Sequence, residues 1–295
     1  MGRPPREKND PHIETTYHTW TRVVQQKFYI TPEDKEKFLE IIAHLQKTYF
    51  VELIEAKPMD NHVHVIIKIY VPEDVSIEEL ERRFKNLYPR QRFPRHKAQE
   101  YKEKWGDLSQ FMKSLNERFA KYMNAKYGWK GHFWAERFGS NILADEEAVL
   151  NCLAYVDLNY ANVSNMPPHT EPYYYGGIPY ILQTQNAGNL FSISSIAKIA
   201  NLIYLPEKYL QKIEHFFGDA LDFLSPSDRR GYIKYLGFVY LRYQERDFMK
   251  KAKDLAKRGI LGSLDAIEAI IETLNCKRAR YCYQTELSPT LYRAF

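Results

Sequence analysis

Apolar and polar positions follow two different periods along the first 160 residues, and each period predicts its own kind of element. Residues 17–24 are rich in β-branched and aromatic side chains, which is typical of a strand. Residues 51–56 and 62–71 predict two more strands, and the turn between them, with Pro58 and Asp60, pairs them antiparallel. Residues 133–142 predict a fourth strand that returns to the same sheet.

Helical spacing separates these strands. Thr31 is a suitable cap for a helix that starts at Pro32, and Phe38, Ile42 and Leu45 give that helix one apolar face. Further helices are predicted around residues 77–84, 108–127 and 144–158. The resulting order β-α-β-β-α-β-α, with one inserted helix, predicts an α+β fold with an antiparallel sheet covered mainly on one side.

The pattern changes between residues 164 and 190, where Pro, Gly and Tyr become frequent. We therefore predict a first domain over residues 1–165, a linker over 166–190 and a second domain over 191–295. From Ser192 onward the apolar spacing is helical almost to the end, so the second domain is predicted to be all-helical.

Composition narrows the class of protein. The apolar share is 44% and the charged share 27%, as in globular proteins in general. The absence of any apolar run of about 18 residues argues against a membrane span, and the charged N-terminus argues against a secretory signal. Three cysteines, Cys152, Cys276 and Cys282, do not make a disulfide framework. A cytoplasmic protein with reduced thiols is the expectation.

The net charge of +5 permits a polyanionic partner without requiring one. Basic residues concentrate in two stretches, residues 82–104, which begin with Arg82 and Arg83, and residues 246–258, which include Lys250, Lys251 and Lys253. Each stretch could follow a phosphate backbone or form a solvated helix face, and a nucleic-acid-binding role for the C-terminal domain stays open.

Two histidines carry the first chemical signal. Because side chains alternate along a strand, His62 and His64 share one face, whereas Val63 and Val65 share the other. The apolar row belongs in the core, and the two imidazoles lie about 7 Å apart on the open face. They form a candidate metal-binding pair, although two histidines that merely face solvent would give the same pattern.

Two other groups of residues add candidates. Asn151, Tyr155 and Asn159 are spaced four apart and therefore share one polar face of the helix, although a tyrosine packed at a rim would do the same. In residues 131–138 aromatic and charged side chains alternate, including Trp134 and Arg137. Such a segment can stack bases and hold phosphates, or its aromatic residues can be core.

Together these segments resemble the single-tyrosine HUH transposases, in particular the REP-associated tyrosine transposases. The resemblance rests on residues 17–24, 59–64, 131–138 and 155–159, in the family's order, and covers roughly residues 15–165. Residues 258–263 resemble a segment of longer members more weakly. The chain departs from the family in having Asn159-Tyr160 where Asn-Pro is common, and Ala161-Asn162-Val163 where Arg-Ala-Gly is common.

The resemblance implies a ferredoxin-like or RRM-like nuclease domain followed by a helical domain. It implies that Tyr155 attacks single-stranded DNA with hairpin structure and forms a 5′-phosphotyrosine link that a 3′-hydroxyl can reverse. His62 and His64 are then the expected ligands of Mg²⁺ or Mn²⁺, with Asn159 as a third ligand. The expected DNA contacts are Arg137, Trp134, Arg82, Arg83, Lys250 and Lys251, and a homodimer stays open.

Two other functions remain open at this point. The first is a non-catalytic protein that binds DNA hairpins or RNA, descended from such a transposase. The second is an unrelated metal-dependent phosphoesterase, which would need more His or Asp ligands near the histidine pair. A covalent, metal-dependent protein–DNA adduct would distinguish the transposase from the binding protein.

Overall fold

The computed structural model describes residues 10, 12–27, 29–164, 166–245, 247–252, 255, 259–273, 282–285 and 291–294. The strands are β1 (Thr15–Arg22), β2 (Val51–Pro58), β3 (His62–Ile69), β4 (Gly139–Leu143), β5 (Gly259–Gly262), β6 (Cys282–Gln284) and β7 (Tyr292–Ala294). The helices are α1 (Pro32–Gln46), α2 (Ile77–Leu87), α3 (Ala98–Trp105), α4 (Leu108–Tyr127), α5 (Glu146–Ser164), α6 (Gly177–Thr184), α7 (Ile193–Ala200), α8 (Glu207–Phe217), α9 (Pro226–Gln244), α10 (Phe248–Lys251) and α11 (Leu264–Thr273). Lys253 and Cys276 lie outside the described residues.

The first four strands form an antiparallel sheet in the order β2-β3-β1-β4. The four strands alternate with α1 and α4 along the chain and pair antiparallel, so the predicted α+β class is confirmed. The register places His18 of β1 between Ile66 of β3 and Asn141 of β4, and it places Trp20 opposite His64. The two inner strands, β1 and β3, therefore carry the histidines on one face.

The other face of the sheet is apolar and packs against α1 and α4. Val63, Val65 and Ile67 of β3 are fully buried on this side. The helix α4 contributes its predicted stripe, with Phe111, Met112, Leu115, Phe119 and Met123 all fully buried. Here the alternation along β3 and the helical spacing along α4 both predicted the packing correctly.

The face with the histidines is covered as well, so the prediction of a sheet covered mainly on one side is wrong. Helix α5 contacts β2, β4 and β5, and α9 packs on α5 from outside. Polar residues of this face, including Glu55 and Lys57 on β2, are completely buried. The reason is that α5 crosses this face of the sheet, and its apolar residues pack against both the strands and the C-terminal helices.

The C-terminal part extends the same sheet, so the prediction of an all-helical C-terminal domain is wrong. Strand β5 pairs parallel with β4, β7 pairs antiparallel with β5, and β6 pairs antiparallel with β7. These three strands have only three or four residues each. Strands of that length show too few alternations to be distinguished from helical or irregular segments in the sequence.

Residues 166–190, predicted as a linker, pack against the first sheet. Glu171 and Ile178 are fully buried, and α6 lies within this segment. Gly176 has a φ of 78°, and a Cβ there would lie 1.8 Å from the carbonyl oxygen of Ala56 on β2. The Gly-rich composition that suggested a linker instead permits a close approach between two backbones.

Within the described part of the chain, no helix combines the length and apolar character needed to cross a membrane.

Candidate functional site

His62 and His64 extend from the same face of β3, as the alternation predicted. Their ring centroids are 5.0 Å apart and the rings are perpendicular. The prediction that this face is open is wrong for His64, which is only 3% exposed, whereas His62 is half-buried. The pair therefore lies at the edge of a covered region, with His62 nearer to solvent.

A third histidine, His18 on β1, contacts this pair and was not singled out from the sequence. Its ring stacks on that of His64 with 5.1 Å between the centroids, and its Nε2 lies 2.9 Å from His64 Nδ1. Its Nδ1 lies 2.8 Å from the carbonyl oxygen of Leu255. The strand pattern of residues 17–24 placed His18 on a face, but only the register of β1 against β3 brings it to His64.

All three imidazoles are neutral at neutral pH. Burial lowers the pKa of His18 to about 4. Burial and the charge of Arg22 lower the pKa of His62 to about 4. Burial and the neighbouring His62 hold the pKa of His64 well below its ordinary value. A neutral imidazole keeps one nitrogen lone pair, which is the form that binds a metal ion.

Tyr155 on α5 reaches the histidines. Its ring is half-buried and meets the ring of His64 edge-on with 5.6 Å between the centroids, and that of His18 with 6.4 Å. Burial raises the pKa of its hydroxyl to about 12. The structure thus brings Tyr155, His62 and His64 together from two elements that are far apart in the sequence.

The two asparagines of the predicted polar face have different surroundings. Asn159 is half-buried, one helical turn after Tyr155. Asn151 is buried and its amide oxygen accepts a hydrogen bond from Arg242 of α9 at 3.2 Å. Asn151 therefore contributes to the packing of α9 on α5.

The side chains near the histidine pair can be tested as a metal site by their chemistry. His62 Nδ1 lies 2.6 Å from the amide oxygen of Asn61, and His64 Nδ1 faces His18, so each ring is fixed through one nitrogen and keeps the other. Among the described residues, no group of three or more His, Cys, Asp or Glu side chains is arranged to hold a metal ion. The pair fits a divalent ion only with a further oxygen ligand, such as the amide of Asn159, water or a substrate phosphate.

The segment of residues 131–138 lies beside this site. The backbone N–H of Ala135 donates to the carbonyl of Arg22, which is paired with His62 in the sheet. Trp134 stacks on Phe119 of α4 and lies in the wall of a 770 Å³ cavity, with Arg137 exposed at its rim. Trp134 therefore has a packing role, and its contact with DNA stays a prediction, as does that of Arg137.

The basic residues predicted to contact DNA lie in two other places. Arg82 and Arg83 both donate to Glu79 at 2.7 Å. Arg83 also donates to the carbonyl of Tyr49, at 3.0 Å, and its guanidinium lies 4.1 Å from the ring centroid of Phe50. Arg83 thus joins α2 to the chain before β2.

On α10, Lys251 lies 3.3 Å from Glu245, whereas Lys250 is exposed. No contact between these lysines and the histidine site is seen in the described structure of α10, and their DNA-binding role stays a prediction.

Comparison with known protein families gives a match to a transposase family. Residues 12–108 match the sequence model of the family described as "Transposase IS200 like". The matched segment contains β1, β2 and β3, and with them His18, His62 and His64. It ends at the first residue of α4, so Tyr155 lies outside it. No curated protein matches the chain.

Proposed function

Since residues 12–108 belong to the single-tyrosine, IS200-like transposase family, we propose that this protein nicks and rejoins single-stranded DNA with Tyr155 as its nucleophile. The observation that carries the proposal is the position of Tyr155, whose ring centroid lies 5.6 Å from that of His64, on an element that the family match does not include. A tyrosine and a histidine pair that come together from separate elements are the parts that this reaction needs.

The proposed reaction exchanges one phosphodiester for another. The Tyr155 hydroxyl loses its proton and forms a bond to phosphorus, the bond from phosphorus to the 3′ oxygen breaks, and that oxygen takes up a proton. The 5′-phosphotyrosine formed is itself a phosphodiester, so a 3′-hydroxyl can attack it and rejoin strands without ATP. Because burial raises the pKa of Tyr155 to about 12, the phenol is protonated at neutral pH and needs help to lose its proton.

His62 and His64 would hold a divalent metal ion through their Nε2 atoms, with the side-chain oxygen of Asn159 as the proposed third ligand. When bound, Mg²⁺ or Mn²⁺ supplies positive charge next to the scissile phosphate. Two imidazoles also accept softer ions than Mg²⁺, which favours Mn²⁺ as the first ion to test. The fixed rings of His62 and His64 orient the two nitrogen ligands before any ion binds.

The proposed partner is single-stranded DNA with hairpin structure. The cavity between α4 and residues 131–138 offers an aromatic wall with an exposed cation, Arg137, which suits base stacking and phosphate contact. Lys250, Lys251 and Arg82 are proposed to add charge outside the site. A homodimer is a further proposal that sedimentation of the protein with and without DNA would test.

The experiment is a covalent-trapping assay with labelled single-stranded oligonucleotides from the gene's own flanking sequence. We expect an adduct with Mn²⁺, none with EDTA, and none with Tyr155→Phe, which removes only the attacking oxygen. Tyr160→Phe is the matched control, because Tyr160 is on the same helix but stacks on Tyr175 at 4.4 Å instead of facing the histidines. An adduct that persists in Tyr155→Phe would reject Tyr155 as the nucleophile.

A second candidate function is a binding protein without catalytic activity, and the burial of the site favours it. His64 is only 3% exposed, which restricts the access of a DNA phosphate to it. DNA binding that is unchanged in Tyr155→Phe, together with no adduct in the unaltered protein under any metal, would support this second function.

A further inference from the structure

We propose that His18 is a positioning residue for His64. The main-chain carbonyl of Leu255 orients His18, and His18 in turn holds His64 in one tautomer, in which the Nε2 lone pair of His64 is free. The tautomer follows from the hydrogen-bond geometry of two neutral imidazoles. Its consequence for DNA cleavage rests on the proposed function.

The argument begins with Leu255. Its carbonyl oxygen can only accept hydrogen bonds, and His18 Nδ1 lies 2.8 Å from it. His18 Nδ1 therefore carries the hydrogen. In a neutral imidazole the other nitrogen is then an acceptor, so His18 Nε2 has the lone pair.

The second step concerns His64. Its Nδ1 lies 2.9 Å from His18 Nε2, and one of these two nitrogens must donate. Since His18 Nε2 is the acceptor, His64 Nδ1 is the donor and carries the hydrogen. The Nε2 of His64 is then left without a hydrogen, which is the state required of a metal ligand or a proton acceptor.

The carbonyl of Leu255 is itself held in place. The side-chain amide of Asn141 on β4 donates to the same oxygen at 2.9 Å. Asn141 is the residue paired with His18 across β1 and β4, so side chains from two neighbouring strands form hydrogen bonds with the same carbonyl oxygen. Leu255 thus contributes to the histidine site through its main-chain carbonyl, a role that its apolar side chain does not reveal.

The burial of His18 explains why both of its ring nitrogens need partners. The side chain is fully buried, and an unpaired imidazole in such a place would be costly. Hydrogen-bond partners behind a metal-binding histidine fix its tautomer and ring orientation, and removing them typically reduces metal affinity about 10- to 100-fold.

The test is ¹⁵N NMR of the imidazole nitrogens in the full-length, metal-free protein. We expect His64 to show a protonated Nδ1 and an unprotonated Nε2, and His18 to show the same form. In His18→Leu, which replaces the acceptor with an apolar side chain of similar size, we expect both tautomers of His64 and an affinity for Mn²⁺ reduced about 10- to 100-fold. His18→Gln, whose amide oxygen can accept from His64, should restore the single tautomer.

His12→Gln is the matched control, because His12 Nδ1 also lies close to a distant main-chain oxygen, that of Val71, at 2.6 Å, but outside this site. It should leave the tautomer of His64 unchanged. A protonated Nε2 on His64 in the unaltered protein would overturn the proposal, even if His18→Leu failed to fold. Equal tautomers and equal Mn²⁺ affinity in His18→Leu and the unaltered protein would also overturn it.

The two proposals fail separately. If no DNA adduct forms but the tautomers are as expected, the proposed function fails and the role of His18 stands. If the adduct forms but His64 carries its hydrogen on Nε2, the proposed function stands and the role of His18 fails.

Discussion

Asn159 and Asn151 share a helix and a residue type, yet the structure gives them different roles. Asn159→Ala removes the proposed oxygen ligand, so we expect Mn²⁺ affinity and adduct formation to fall about tenfold or more, with little change in stability. Asn151→Ala removes the acceptor for Arg242 and should instead lower the free energy of unfolding by about 1–3 kcal/mol with unchanged Mn²⁺ affinity. Calorimetric titration with Mn²⁺ and urea denaturation of both variants measure these quantities. Equal Mn²⁺ affinity in Asn159→Ala and the unaltered protein would remove Asn159 from the ligand set.

At the scale of single residues, the sequence identified the candidate residues whose placement depends on the pattern within a single strand or helix. The alternation along β3 placed His62 and His64 on one face, and the spacing along α5 singled out Tyr155. It was not informative about His18, because the contact depends on the register between β1 and β3, which no local pattern encodes. The burial of His64 was also missed, because it depends on where α5 crosses the sheet, which no local pattern encodes either.

At the scale of elements, the start of α1 is held by a carboxylate that also binds α4. Asp34 is fully buried and accepts hydrogen bonds from Thr31, Tyr122, Lys126 and Tyr127. Burial alone would raise the pKa of Asp34, but the hydrogen bonds from Lys126 and Thr31 outweigh burial and hold it below its ordinary value. Asp34 therefore stabilises the fold at neutral pH.

We expect Asp34→Ala to lower the free energy of unfolding by about 2–3 kcal/mol, because four donors lose a charged acceptor. The folded-state pKa of Asp34 is below its unfolded value, so the stabilisation is present above that unfolded value and is lost as the pH falls through the folded one. Urea denaturation at neutral pH and in acid measures both effects. The control is Glu40→Ala, which removes an exposed pair with Lys37 and should cost less than about 1 kcal/mol.

Helix α10 gives a prediction about DNA affinity. Neutralising Lys250 and Lys251 together should weaken DNA binding and reduce the slope of log affinity against log salt by about 0.7 for each single-strand phosphate that the variant no longer neutralises. Lys250 should account for more of the change, because Lys251 is paired with Glu245. Lys208→Ala, at an exposed position on α8, is the control for a simple change of net charge. An unchanged slope in the double variant would show that α10 is only solvated surface.

The length of an element decided how well the sequence predicted it. Helix α4 has the predicted bounds, and α1 begins after the predicted cap. By contrast, the predicted strand over residues 133–142 begins only at Gly139, and α3 was missed within a basic, Pro-containing stretch. Strand β5 was missed because four residues with a glycine at each end carry almost no periodic signal.

At the scale of the whole molecule, a buried ion pair joins the first sheet to the segment after α5. Lys57 of β2 is fully buried, lies 2.5 Å from Glu171 and donates to the main-chain carbonyl of Asp157 at 3.1 Å. Glu55 and Asp157 are buried beside it, and burial raises the pKa of both carboxyls. Lys57 is thus the cation at the centre of three carboxyl groups.

We expect Lys57→Met to lower the free energy of unfolding by about 3–5 kcal/mol, because it leaves buried carboxyl groups without their cation. Unfolding of the unaltered protein should be a single transition by tryptophan fluorescence and by circular dichroism, since both parts of the chain share one hydrophobic core. Lys37→Met, which breaks an exposed pair on α1, is the matched control and should have an effect below about 1 kcal/mol. Two separate transitions in the unaltered protein would instead support independent N- and C-terminal domains.

The hydrogen bond between His18 and Leu255 joins residues 237 positions apart, and this separation has a consequence for protein synthesis. At about 5–20 residues per second, a ribosome that has made His18 needs roughly 12–50 s more to reach Leu255. During that time His62, His64 and Tyr155 all leave the ribosome before the carbonyl that orients His18. We therefore expect ribosome-bound chains that stop before Leu255 to bind Mn²⁺ more weakly than the released protein. Translation would then delay the moment at which a newly made molecule can bind the ion.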